Sequence, residues 1–239
     1  MKLVIKYSIA LLFLAVSCRE EAEKPKVIYE DAKQAVKSVI KDTTQIKIAD
    51  LPVHMEGTNH IIHPIGDYRI YDKSSKMSYS SGGSGEGSFT ISNTSEFEIT
   101  GYLSDLKFQE IGTDSLKSLT DKPILIQRVT YLKTKSENPK SKIMVYVLSD
   151  LDTNKDGKLD SNDIQTLYIS QVSGQRFAKL STELQELLDW NFIEVQNRLY
   201  FRTIEDINKN GEFDKTDKVH YQYVNLLDAD WKIEEYKPI

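Results

Sequence analysis

Two segments of this chain repeat each other, and any fold has to house both. The first reads KIMVYVLS, then DTNKDGKLDSND, TLYISQV, a turn at SG, and RFAKL, over residues 142–180. The second reads RLYFRTI, then DINKNGEFDKTD, VHYQYVNL, a turn at DA, and WKIEEY, over residues 198–236. The leading Asp of each acidic loop, Asp152 and Asp206, lie 54 residues apart (206 − 152). Each unit is a strand, an acidic loop, a strand, a tight turn and a strand. Apolar and β-branched residues alternate at a period of two on either side of the loop.

The rest of the chain carries the same period. Candidate strands are DYRIYD (67–72), SFTIS (88–92), EFEITGYL (96–103), LKFQEI (106–111), ILIQRVTYL (124–132) and FIEVQ (192–196). The stretch STELQELLDW (181–190) reads as a short helical turn. The fold class is therefore mainly β. A repeat of this length and strand order predicts propeller-like antiparallel units, and YISQVSGQRFAKLS resembles the outer half of a blade in periplasmic β-propeller repeats. The first half shows no clean repeat, so a β-sandwich is the alternative. The expected division is a single β domain over 46–239, preceded by a charged stretch (18–45) in which YEDAKQAVKSVIK has helical spacing.

The two loops align without a gap. Position 1 is Asp152 or Asp206, position 3 Asn154 or Asn208, and position 5 Asp156 or Asn210. Gly157 or Gly211 follows at position 6, Lys158 or Glu212 at position 7, Asp160 or Asp214 at position 9, and Asp163 or Asp217 at position 12. A hard cation such as Ca2+ takes six to eight oxygens in a compact shell. Short Asp and Asn side chains at alternate positions can point inward, and Gly at 6 permits the turn that brings in the position 7 carbonyl. Leu159 or Phe213 would pin the loop to the core. The pattern resembles the EF-hand calcium loop, and with Asp at 12 the dockerin version. That resemblance covers 24 residues and implies two Ca2+ sites with these ligands. Both families flank the loop with helices, whereas strands flank it here, so the loop carries over and the helix pair does not. The first loop has four Asp among its ligands and the second three, which predicts tighter binding at the first.

The N-terminus, MKLVIKYSIALLFLAVSC, has a basic start, a short apolar run and small residues before Cys18. This is signal-peptide patterning over 1–17. Cys18 is the only cysteine, so an internal disulfide is excluded. The stretch LAVSC resembles the lipobox of bacterial lipoproteins, which implies cleavage before Cys18, a lipid on its sulfur and contact with the membrane through that lipid. The acidic REEAE that follows is similar to the export tag of Bacteroidota surface lipoproteins. The resemblance implies an exported protein of the outer membrane, on its periplasmic face or at the cell surface. Loss of Lys2 and Lys6 leaves 29 basic residues against 36 acidic, a formal charge of −7. That balance, without a basic cluster, argues against nucleic acid and against polybasic attraction to anionic lipid.

Other chemistry is thinly represented. His54, His60 and His63 match no zinc spacing and read as surface or packing residues. The Gly-rich SSGGSGEGSF (80–89) lacks the Lys-Ser/Thr ending of a phosphate loop. The expectation is a calcium-stabilised β lipoprotein without catalysis, its partner unspecified. The alternative is an enzyme or accessory subunit acting on an extracellular polymer, with the loops as scaffold.

Overall fold

The computed structural model describes residues 25–29, 45–69, 90–132 and 142–239. The expected signal peptide, Cys18, the helix read from YEDAKQAVKSVIK beyond Tyr29, and the Gly-rich stretch 80–89 lie outside the described residues.

The described chain is mainly β. Its strands are β1 (Gln45–Ala49), β2 (Val53–His54), β3 (His60–Arg69), β4 (Ser92–Thr94), β5 (Glu98–Glu110), β6 (Leu116–Ser118) and β7 (Leu125–Leu132). They continue with β8 (Ile143–Ser149), β9 (Thr166–Gln171), β10 (Ala178–Lys179), β11 (Gln185–Ile193), β12 (Arg198–Glu205), β13 (Lys218–Asn225) and β14 (Ile233–Glu235). A ten-stranded antiparallel sheet follows the order β1-β3-β5-β7-β8-β9-β10, with β2 on β3 and both β4 and β6 on β5. A second sheet is the four-stranded meander β11-β12-β13-β14. Among the described residues neither sheet closes into a barrel.

The repeat survives in three dimensions as β8, loop, β9, turn, β10 in the large sheet and β12, loop, β13, turn, β14 in the small one. Alternation along β8 shows how the two meet. Met144, Tyr146 and Leu148 enter a core shared with Ile62, Ile99, Leu103, Leu106, Phe108, Ile126 and Val129. Ile143 and Val145 point the other way, into a core with Leu167, Ile169, Leu187, Leu199, Phe201, Val224 and Trp231. The large sheet curls over the first core, so that the Phe108 ring of β5 packs against Gly174 in the β9–β10 turn. The small sheet covers the far face. Val145 and Leu199 hold equivalent places in the two units and lie in the same core.

Two sequence expectations need correction. STELQELLDW is not helical: Gln185–Ile193 is β11, paired along its length with β12. A β-bulge at Leu188 sets Leu184, Leu187 and Leu188 at i, i+3 and i+4, which imitates a helical face. FIEVQ is not a strand throughout, since a 3-10 turn takes Glu194–Gln196. The pairings of β2 and β6 are too short to show a period in sequence.

The alternation has a measurable consequence. Phe201→Ala, on the inner face of β12, is expected to cost about 3–5 kcal/mol of folding stability. Tyr200→Ala, on the outer face, should cost clearly less. Urea unfolding of the two variants checks the assignment of faces.

Candidate metal centre

Both acidic loops fold through the same set of hydrogen bonds. The Gly157 N–H donates to Asp152 Oδ2 at 2.9 Å, and the Gly211 N–H to Asp206 Oδ2 at 2.7 Å. The position 5 N–H, on Asp156 or Asn210, donates to the Asn at position 3 at 3.0 or 2.9 Å. The Lys158 and Glu212 N–H groups each donate to the position 5 side chain at 2.8 Å. The position 9 carboxylates, Asp160 and Asp214, accept from the N–H of Asn162 and Thr216 at 2.8 and 2.7 Å. The backbone follows suit: φ is positive at position 4, 55° at Lys155 and 58° at Lys209, and at position 6, 87° at Gly157 and 85° at Gly211.

Position 12 acts as a clasp. Asp163 Oδ1 accepts the Thr153 N–H at 2.8 Å while its Oδ2 accepts the Asp160 N–H at 2.9 Å. Asp217 does the same with Ile207 at 3.2 Å and Asp214 at 2.9 Å. Each carboxylate therefore ties position 2 to position 9 across the loop. Its oxygens keep further lone pairs for a cation.

The two sites differ in burial. Asp163 is fully buried, and burial pushes its carboxyl above the ordinary range, reinforced by the Asp152 charge against the pull of its N–H partners. Asp152 Oδ1 is buried with no hydrogen-bond partner. In the second loop Asp206 is the buried member at 4% exposure, while Asn208, Asn210, Glu212 and Asp214 are exposed. The Thr216 hydroxyl and N–H hold the exposed Asp214 below the ordinary carboxylate range. Among the described residues no three His, Cys, Asp or Glu side chains converge closely enough to hold an ion by themselves. The donor set of each loop is mixed: carboxylates, Asn amide oxygens and the carbonyl after Gly.

What the sequence did not suggest is the segment that joins the loops. Residues 25–29, part of the charged stretch 18–45, thread between them. The Lys26 N–H donates to the Gly211 carbonyl at 2.8 Å, and the Ile28 N–H to the Thr153 carbonyl at 2.9 Å. The Thr153 hydroxyl returns a bond to the Lys26 carbonyl at 2.7 Å. Val27 is 3% exposed. Tyr29 sits against the second loop, its phenol pushed up to about 12 by burial first and then by the Asp206 carboxylate. Lys26 pairs with Glu186 of β11 at 2.9 Å. Of His54, His60 and His63, the exposed His54 bonds the Thr58 carbonyl and His63 the Gln109 side chain, while His60 Nδ1 is buried with no partner.

The chain matches no known protein-family model, no curated protein and no solved structure.

The strap explains why Gly211 has no side chain. A Cβ there would collide with the Val27 carbonyl oxygen and lie 2.7 Å from Pro25 Cβ. Gly112 has a similar φ of 89° and nothing within 4 Å. Gly112→Ala should therefore cost only the backbone strain, about 1 kcal/mol, and Gly211→Ala roughly 1–3 kcal/mol more. Chemical denaturation of the pair separates strap contact from strain.

Glu186 offers a pH test. Burial raises its carboxyl above the ordinary range, against the opposing pull of Lys26 and the Gln165 N–H. The folded chain then keeps this proton to higher pH than the unfolded chain. The contribution to stability is full below the ordinary Glu value and falls as pH rises through the raised one. Glu186→Gln retains an acceptor for the Gln165 N–H and removes that dependence. Stability of the parent relative to this variant should fall as pH rises above the ordinary Glu range, read from urea midpoints across the series.

Proposed function

We propose that the protein is an exported, lipid-anchored scaffold in which each acidic loop holds one Ca2+ in a structural role. The observation that carries this reading is the matched hydrogen-bond network and backbone of the two loops, which turn short oxygen side chains inward around a glycine. The unpartnered, buried Asp152 Oδ1 adds an oxygen that a cation would satisfy. The ligands are Asp152, Asn154, Asp156, the Lys158 carbonyl, Asp160 and Asp163, and in the second loop Asp206, Asn208, Asn210, the Glu212 carbonyl, Asp214 and Asp217. Lipid on Cys18 supplies the membrane contact. Pro25 lies seven residues beyond Cys18, a span of at most about 25 Å, so a lipid on Cys18 would keep the strap within about that distance of the membrane.

We further infer that the two repeat units stack as a β-sandwich rather than as propeller blades. Blades pack the front of one on the back of the next. Here the equivalent positions Val145 and Leu199 lie in one shared core, front against front.

Calorimetry of calcium into the full chain in mild detergent, repeated with Asp152→Ala and Asp206→Ala, tests the metal reading. The expected result is two sites, each lost with its own variant, with dissociation constants of roughly 10⁻⁴ to 10⁻³ M or somewhat tighter and the first site the stronger. At ~2 mM calcium a site with a Kd of ~0.1 mM adds about 1.8 kcal/mol, so melting should shift upward. Absence of both heat and shift would reduce the loops to polar turns.

A further inference from the structure

A cavity of about 500 Å³ opens between the two sheets, away from the bonds that shape the acidic loops. Strand irregularities build it. Gln127 is the extra residue where β7 slips against β8, and Leu188 the extra residue where β11 slips against β12. Thr100 borders a third slip, between β5 and β7. All three line the cavity, together with Gln165, Asp189 and Trp190. Bulges re-aim side chains and gather beside functional sites, and here the slips of three strands open on one space.

The lining defines what the space would take. It carries one cation, Arg128, and one carboxylate, Asp189. Both already have partners, since Arg128 lies 3.5 Å from Glu98 and Asp189 pairs with Arg202. No net charge remains for an ionic ligand. Among the described residues the lining holds no Cys, His or Ser. The uncommitted polarity is amide. Gln165 Nε2 donates to Gln127 Oε1 at 2.5 Å, which leaves Gln127 Nε2 buried with no partner. A buried donor without an acceptor is destabilising, a cost that a ligand oxygen would relieve. Trp190, Leu187, Leu188 and Val147 supply the apolar wall.

We propose that this cavity binds a neutral saccharide. Sugar hydroxyls donate and accept at once, matching an amide pair and the Thr100 hydroxyl. The C–H face of a pyranose ring suits an aromatic wall, and the volume falls within the range of small-ligand sites. The assignment does not depend on calcium in the loops.

The test presents maltose, cellobiose and diacetylchitobiose to the full chain in mild detergent, followed by saturation-transfer NMR and tryptophan emission. Of the two tryptophans, Trp231 is 5% exposed beneath Arg176, so emission changes on binding report Trp190. At least one disaccharide is expected to bind with a dissociation constant on the order of 1 mM and to perturb that emission. Gln127→Leu and Gln165→Leu should each weaken binding about tenfold, a loss of 1.4 kcal/mol, with Tyr223→Ala on the outer sheet face leaving it unchanged. The proposal is overturned if none of the three sugars binds at millimolar concentration. It is also overturned if binding leaves emission unchanged, survives both Gln substitutions, or gives way to a preference for glucuronic acid or glucosamine.

Discussion

Double-sided burial of β8 and β9 is the constraint on which the rest of the molecule depends. A strand in the middle of an antiparallel sheet usually has one wet face. Here KIMVYVLS reads as a nearly unbroken apolar run because it has none. Its even residues close the core beneath the curled large sheet, and its odd residues close the core beneath the small one. β9 repeats the arrangement, with Leu167 and Ile169 on the far side and Tyr168 packed on the near one. The buried Tyr146 hydroxyl is satisfied by Ser170 on the neighbouring strand at 2.6 Å. Neither core can form without this pair of strands, so the first repeat unit is also the joint between the layers.

The same geometry fixes the ends of the acidic loops. Each loop leaves the last residues of one buried strand and returns to the next, so its two feet stand a strand spacing apart and cannot splay. Within that limit the Asp and Asn side chains bond their own backbone, and the loop folds as a closed unit. The segment 25–29 then lies across both units, bonded to the Thr153 carbonyl on one side and the Gly211 carbonyl on the other. In a chain with one cysteine, at position 18, this strap and the two clasped loops tie the two units together without a crosslink within the chain.

Much of this was readable beforehand and some was not, for reasons that are local. The longer strands from Glu98 onward were legible because each buries part of at least one face, whereas β6 and β14 are exposed throughout. The twice-written loop aligned residue for residue, and its two copies fold alike. STELQELLDW misled because the bulge at Leu188 breaks the strand period into a helical one. The long β5 was read as two strands, since its slip against β3, which leaves Ser104 unpaired between Leu103 and Asp105, switches the alternation from odd to even residues. The strap left no trace in sequence. Its role rests on main-chain bonds and on the absence of a side chain at Gly211, neither of which has a compositional signature. The inter-sheet cavity is hidden for a related reason: it is made by register slips between distant strands, and register is a property of pairs.

Aspartate at position 12 decides what a cation could do to such a loop. The short side chain of Asp163 or Asp217 lets both oxygens reach backbone N–H groups, at positions 2 and 9 together. A glutamate, one methylene longer, would hold its carboxylate farther out and leave those donors to water. With aspartate the loop is therefore ordered by its own bonds before any ion arrives. A calcium ion entering it would find most ligands in place and would move little. Its free energy of binding then appears as added stability rather than as a change of shape, which is why a structural role suits these loops better than a sensing one.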